Sequence, residues 1–332
     1  MENDQKNKCE GFLKAIPAVE FCCIYGSTLH PNNQDKSSMI DYILGVSDPM
    51  QWHNENMKLN RGHYASWMVH LGGSKLVTEV ADEIGVGVHF NPFVMWNGKM
   101  IKYGVVRMND LVQDILNWER FYLCGRLQKP IHILVDNLDV GNVNAVNLRA
   151  AFSAALLLLP SKFSEEDLYS KICSLSYMGD LRMLFAEDKN KVKKIVQGQF
   201  NLFRSIYEPF FHEYEAKEIL KLNSCNNHPA TLSQDCCLSV TRSLVGSLPP
   251  LVRSTMAMKL GEERTVSDSG RVLREVKISS REDAAKCMQK VIGRTVMVSS
   301  LRQAVSGFVA TGGINATRYL ARKVQKAWNS WR

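Results

Sequence analysis

Two stretches decide the fold: Phe21-Cys22-Cys23-Ile24-Tyr25 running into Gly26-Ser27, and Met39-Ile40-Asp41-Tyr42-Ile43-Leu44-Gly45-Val46. Each is a short apolar run rich in aromatic and β-branched residues and bounded by turn formers, the pattern of a buried strand. The link between them carries Pro31, Asn32, Asn33 and two serines, and reads as a loop. Asp41 stands inside the second run. A carboxylate in that position must be paired or hold a cation, because an isolated buried charge is costly.

Outward from this pair, further strands are expected at Val86 to Met95 and Met100 to Val106, joined across Asn97-Gly98, a strong hairpin signal. Another is expected at Ile131 to Val135 after Pro130. Helical periodicity covers Lys75 to Glu83, Met108 to Leu123, Val143 to Leu159, Glu165 to Leu175 and Lys189 to Phe211. Ser164 followed by Glu165-Glu166-Asp167 supplies a cap and an acidic first turn. The order is mixed α and β to about residue 135, then helical for some 80 residues, with a looser region over 223–280.

The chain has 332 residues, 45 % of them hydrophobic and 22 % charged, which excludes a mainly disordered or fibrous protein. The longest apolar run, Ala154 to Leu159, falls far short of the ~20 residues a membrane-spanning helix needs. The nine Cys include no C-x-x-C pair, so free thiols are expected and structural zinc is not. Met1 to Lys8 is polar and mixed in charge, unlike an Arg-rich, acid-poor transit peptide, and on residues alone the expected compartment is the cytosol.

Charge is unevenly placed. Residues 281–332 hold ten Lys or Arg against Glu282 and Asp283, a surplus of eight that equals the formal net charge of +8 for the whole chain. Within that region, Ile314 to Arg332 reads as a helix, with Tyr319, Leu320, Val324, Trp328 and Trp331 at helical spacing and Arg318, Arg322, Lys323 and Lys326 elsewhere on it. Such a helix lies on an anionic bilayer or docks its Trp residues on the protein.

Tyr25-Gly26-Ser27 followed by Asp41 has a chemical logic. Gly26 lets a phosphate approach the backbone, Ser27 opens a helical turn whose N–H groups face anions, and Asp41 holds a divalent metal on the phosphates, as in nucleotidyltransferases of the polymerase-beta kind. Together with Asp48-Pro49-Met50-Gln51-Trp52-His53, Asn60-Arg61-Gly62-His63-Tyr64, Lys102-Tyr103-Gly104, Gly125-Arg126-Leu127 and Ser176-Tyr177-Met178-Gly179-Asp180-Leu181-Arg182-Met183, these residues resemble the mitochondrial translocator assembly and maintenance protein family. The likeness runs from about residue 12 to the C-terminus.

The resemblance implies an α+β protein with a polymerase-beta-like nucleotidyltransferase domain over 12–138. A helical, winged-helix-like domain over 139–222 follows, then a C-terminal helical extension over 223–332. It implies a phosphatidate cytidylyltransferase that makes CDP-diacylglycerol from CTP and phosphatidic acid for phosphatidylglycerol and cardiolipin synthesis. It further implies Mg²⁺ as cofactor and a peripheral place on the matrix side of the mitochondrial inner membrane, with the C-terminal segment on anionic lipid. The expected catalytic residues are Asp41, Lys102 and Arg126, and the expected substrate-binding residues Tyr25, Gly26, Ser27, His53 and Lys129. Nucleotidyltransferases carry a second acid two positions from the first, where this chain has Met39 and Ile43, so the second metal ligand is expected at Asp48, with Asp136 as the other candidate.

Arg126 and Lys129 either neutralise phosphate or cap the preceding helix, and Trp52 and Tyr64 either stack on cytosine or fill the core. His53 and His63 are either metal or phosphate ligands of second rank or ordinary hydrogen-bonded histidines. Two other function classes share features with this chain: a nucleotidyltransferase acting on nucleic acid, which is not the expected partner, and a non-catalytic membrane-associated assembly factor.

Overall fold

The computed structural model describes residues 11–26, 29, 39–180, 183, 190–223, 231–266 and 272–311. Ser27, most of the loop up to residue 38 and the proposed terminal helix over 314–332 lie outside the described residues.

A five-stranded sheet organises the first part of the chain. Its strands are β1 (Phe21–Tyr25), β2 (Ile40–Val46), β3 (Val88–Trp96), β4 (Lys99–Arg107) and β5 (His132–Asp136), in the order β3-β4-β2-β1-β5. Only β2 and β4 run parallel. The β3–β4 hairpin turns at Asn97 (φ 46°) and Gly98 (φ 74°), two left-handed residues in succession that match the right-handed twist of the flanking strands. Between β2 and β3 lie α1 (Pro49–Leu59), α2 (Ser66–Leu71), α3 (Gly73–Glu79) and a π-helical turn, Val80–Ile84.

Alternation along the strands gives the sheet two buried faces. On one, Phe21, Cys23, Ile43, Phe90 and Val106 pack with Leu111 and Ile115 of α4 (Met108–Asn117) and with Tyr122, Leu123 and Leu127. On the other, Phe12, Ile24, Tyr42, Leu44, Tyr103 and Val105 pack with Trp52 of α1. The helix expected over 108–123 stops at Asn117, where Trp118 turns left-handed (φ 54°) and the chain folds back.

After the short α5 (Cys124–Leu127) and β5, the chain becomes mainly helical: α6 (Val140–Leu158), α7 (Glu165–Leu175), α8 (Lys191–Gly198) and α9 (Phe200–Ala216). Asp136 accepts the N–H groups of Val140 (2.7 Å) and Gly141 (2.8 Å) at the start of α6, and Ser164 and Asp167 form a reciprocal capping box at the start of α7. The helix expected over 189–211 is two helices broken at Gln199.

The described residues of the region over 223–280 that reads as loose fall mostly into regular elements. β6 (Lys162–Ser164), β7 (Leu220–Asn223) and β8 (Thr231–Gln234) form a second antiparallel sheet, followed by α10 (Leu238–Gly246), α11 (Pro250–Leu260) and the hairpin β9 (Glu262–Val266) with β10 (Val272–Val276). The last described element is α12 (Arg281–Thr311). One apolar core runs from Trp118 through Phe152, Tyr169 and Tyr207 to Met256, Met288 and Val296, so residues of 139–222 and of 223–296 share it.

Candidate functional site

Strand register builds the site. Tyr25, the last residue of β1, pairs with Asp41 of β2, and Asp41 pairs with Lys102 of β4. Residues directly opposite in neighbouring strands share a face, so the three side chains stand in a row at one end of the sheet. The Lys102 Nζ lies 3.7 Å from Asp41 Oδ1, and the two side chains are 21 % and 24 % exposed, which leaves the pair open to a ligand. Lys102 Nζ also sits 4.4 Å from the centre of the Phe90 ring. Gly104 makes this possible, because a Cβ there would lie 2.5 Å from the Phe90 ring.

Beyond β1 the backbone turns at Gly26 with φ 91°, a conformation glycine adopts without strain. A Cβ on Gly26 would lie 3.2 Å from Asp41 Oδ2, so the turn passes directly over the carboxylate. Burial, opposed by Lys102 and assisted by Asp41, pushes the Tyr25 phenol up to about 12, so it remains a neutral donor at neutral pH.

The cationic wall comes from α5. The Arg126 guanidinium stacks on the Tyr122 ring at 3.8 Å, donates to the Tyr122 carbonyl and lies 5.7 Å from the centre of the Tyr25 ring. One turn on, Lys129 Nζ donates to the Gly125 carbonyl (2.6 Å) and to Ser176 Oγ (2.7 Å), which follows α7. Lys129 and Lys191 each lie 5.1 Å from the Tyr177 ring centre. Burial first, then the charges of Arg126 and Lys191, bring the Lys129 ammonium down to about 8. The loop carrying this wall is shaped by Asp114. Its buried carboxylate accepts five backbone N–H groups, those of Arg120 (2.9 Å), Phe121 (2.8 Å), Tyr122 (3.2 Å), Leu123 (2.8 Å) and Cys124 (3.0 Å).

The structure therefore brings together Tyr25, Gly26, Asp41, Lys102 and Arg126, with Lys129 beside Arg126. It does not bring His53 or Asp48 to them. His53 lies on the buried side of α1, against the opposite face of the sheet, where its Nδ1 meets the Tyr64 hydroxyl at 2.9 Å. Tyr103 points to that same face, one residue along from Lys102, and its hydroxyl meets Asn56 Nδ2 and His63 Nδ1, each at 2.9 Å. Burial, and then the neighbouring His89, hold His53 well below the usual histidine range. Trp52 and Tyr64 are core aromatics here.

Asp48 follows the far end of β2 and caps α1, accepting the Gln51 N–H at 3.1 Å. Seven residues of mostly extended chain, at about 3.3 Å each, separate it from Asp41. Asp136 pairs in register with Phe21, at the opposite end of β1 from Tyr25, and is occupied at the start of α6. Among the described residues no group of three or more His, Cys, Asp or Glu could hold a metal ion. A lone carboxylate beside a lysine fits a hydrated Mg²⁺ that keeps waters and takes its remaining ligands from nucleotide phosphates, and does not fit a preformed protein cage.

Sequence reasoning missed Asp114, Tyr122 and Lys191. Asp114 had a signal: an acid between Leu111 and Ile115 on the apolar stripe of α4. A cavity of about 230 Å³ lined by Arg242, Arg253 and Arg274 lies elsewhere, between α10, α11 and β10, and includes no residue of the Asp41 row.

Residues 9–326 match the family described as phosphatidate cytidylyltransferase, mitochondrial. Curated proteins of that name are similar along most of their length. The Mus musculus protein is 32 % identical over 316 residues, covering 92 % of this chain and 90 % of its own. The Danio rerio protein is 33 % identical over 302 residues, covering 89 % and 85 %. The Schizosaccharomyces pombe protein is 33 % identical over 303 residues, covering 89 % and 76 %. With a match that spans nearly all of its length, and with the described motif residues arranged along one sheet and the helices beside it, the chain belongs to the mitochondrial phosphatidate cytidylyltransferase family.

Proposed function

We propose that the Tyr25–Asp41–Lys102 row is the reaction centre of this cytidylyltransferase, which makes CDP-diacylglycerol and pyrophosphate from CTP and phosphatidic acid. The observation that carries this reading is the register that sets Asp41 between the Gly26 turn and Lys102. In the reaction a phosphatidate oxygen attacks the α-phosphorus of CTP, the bond to the β-phosphate bridging oxygen breaks, and pyrophosphate leaves with that electron pair.

Positioning and charge neutralisation supply most of the acceleration in such a transfer. Gly26 admits phosphate oxygens close to the backbone. Lys102, released from Asp41 when phosphate arrives, neutralises charge at the reacting phosphorus. Arg126, held flat on Tyr122, presents a planar fork to two phosphate oxygens. Lys129, protonated at neutral pH, places a second cation behind Arg126 for the leaving pyrophosphate or the phosphatidate headgroup. Asp41 would hold Mg²⁺, which when bound would supply neutralisation of phosphate charge during the transfer.

The finer features belong to the same proposal. The first sheet and its helices act as a polymerase-beta-like nucleotidyltransferase domain, and the helical part as a winged-helix-like partner whose Ser176 and Lys191 close the cationic wall. The basic C-terminal segment carries the chain to anionic lipid on the matrix side of the inner membrane. What supports the membrane reading is the bilayer-resident substrate of the reaction and the cationic surplus of residues 281–332, and the mitochondrial part of it follows the relatives' names. The purified chain, given CTP labelled at the α-phosphate, Mg²⁺ and phosphatidic acid in mixed micelles, should place the label in lipid and release unlabelled pyrophosphate. Label entering an oligonucleotide instead would replace the lipid substrate with nucleic acid.

A further inference from the structure

The last described helix is amphipathic in the wrong sense for a globular protein. Over residues 297–308 of α12, the exposed positions are Met297, Val298, Leu301, Ala304, Val305 and Phe308, all apolar. The five larger ones are 40 to 54 % exposed. The inward positions are polar: Ser299, Ser300, Gln303 and Ser306 are buried.

The helix cannot turn its apolar side in, because its polar side is bonded to the protein. Gln303 Nε2 donates to the Val88 carbonyl (3.4 Å) on the edge strand β3, and Ser306 Oγ to the Val80 carbonyl (3.4 Å). Arg302, the one charged residue between 295 and 311, donates to the carbonyls of Glu83 (2.8 Å), Ile84 (3.1 Å) and Asp82 (3.3 Å) at the end of the π-helical turn. The charge is thus spent on backbone carbonyls beside the stripe.

We propose that this stripe is the face the chain lays into the interfacial region of an anionic bilayer, with α12 lying parallel to the surface. The proposal rests on the membrane reading above and assigns it a second, rigid contact besides the basic segment. Charge favours this occupant. Arg294 is exposed one turn before the stripe, and residues 312–332 immediately after it carry Arg318, Arg322, Lys323, Lys326 and Arg332 with no Asp or Glu. An apolar helical face flanked by cations is the composition of an interfacial helix on anionic lipid. Area argues against a second copy of the chain. Twelve residues of one helix span about 17 Å, and six side chains along that length do not approach the ~800 Å² per partner of a stable dimer. A bilayer sets no such threshold, since each inserted side chain adds its own apolar area.

The surface has a consequence for the reaction. α12 packs by Gly293 against the backbone at Gly179, where a Cβ would lie 2.5 Å from the Gly293 carbonyl, and Gly179 belongs to the segment that follows Ser176 and Tyr177. A bilayer under the stripe is therefore connected through one rigid helix to the residues that hold Lys129.

The test is vesicle flotation of the full chain with phosphatidylcholine vesicles containing phosphatidic acid. Leu301→Glu/Phe308→Glu should lower partitioning at least about tenfold, and Ala304→Trp, which enlarges an exposed position, should raise it. Thermal unfolding should match that of wild type, and product formation from a dispersed short-chain phosphatidic acid should be unchanged. Partitioning of both variants equal to wild type overturns the stripe and leaves the basic segment as the membrane contact. Failure of wild type itself to bind these vesicles overturns both. A dimer of wild type that the double substitution dissolves, with vesicle binding intact, assigns the stripe to a second copy and overturns the bilayer.

Discussion

At the scale of the residue, two side chains carry most of what makes the cationic wall work. Lys129 is charged at neutral pH and loses its proton near 8, because burial and the neighbouring Arg126 and Lys191 disfavour the ammonium. CTP affinity should accordingly fall as pH rises through about 8, and Lys129→Arg should move that fall out of the measurable range while keeping binding at pH 7. Titrations of CTP and Mg²⁺ at several pH values read this directly, and an affinity that is flat from pH 7 to 9.5 would remove Lys129 from the phosphate site. Asp114 acts earlier in the chain of causes. Replacing it with Asn trades an ionised acceptor of five N–H groups for a neutral one and turns an amide donor toward them, at a cost of about 2 to 4 kcal/mol. Because the same loop aims Tyr122 and Arg126, the CTP KM should rise as stability falls. Urea unfolding within about 0.5 kcal/mol of wild type would show that the loop holds without the carboxylate.

At the scale of the element, the local signals translated well and the long-range ones did not. Asn97-Gly98 forms the hairpin its residues demand, and Ser164 with Asp167 forms the cap. Periodicity does not register the Asp114 carboxylate that draws the next turn back on itself, so the helical pattern continues to Leu123 where the helix itself ends at Asn117. The region over 223–280 reads as loose because its strands are four or five residues long, and one of them, β8, completes its sheet against β6, far off in sequence. The site shows the same division. Tyr25, Gly26 and Asp41 are legible as two adjacent strands and a turn, whereas the parallel register that sets Lys102 beside Asp41 is written in no local spacing.

Asp48 marks the opposite outcome. Asp-Pro before a helical run is a cap signal as strong as any metal signal, and the structure uses it as a cap. Asp48→Ala should cost about 1 kcal/mol of stability and leave kcat unchanged. A large loss of kcat with stability intact would return Asp48 to the metal.

At the scale of the molecule, the sheet separates two chemistries: an open row of charges on one face, and on the other a closed cluster of His53, Asn56, His63, Tyr64, His89 and Tyr103. Burial, opposed by a hydrogen bond to Asn91, holds His89 neutral down to about 4, against an ordinary value of 6.5. The unfolded chain takes up that proton near 6.5 and the folded chain does not, so stability is full above about pH 6.5 and falls as pH drops toward 4. His89 alone contributes up to about 3 kcal/mol to that fall. Urea midpoints at pH 7 and pH 5 should differ for wild type and differ less for His89→Gln, and equal midpoints in wild type would contradict the neutral buried cluster. The open face carries the chemistry, and Asp41 is its one carboxylate in the row with Tyr25 and Lys102. Asp41→Asn keeps the shape of the side chain and removes its charge. The most direct measurement is therefore transfer of α-labelled CTP to phosphatidic acid by Asp41→Asn, with the unfolding temperature measured on the same sample. The expected result is a loss of about 10²- to 10³-fold in kcat with the fold intact. A folded Asp41→Asn protein that retains more than about a tenth of wild-type kcat would contradict a reaction centred on this row.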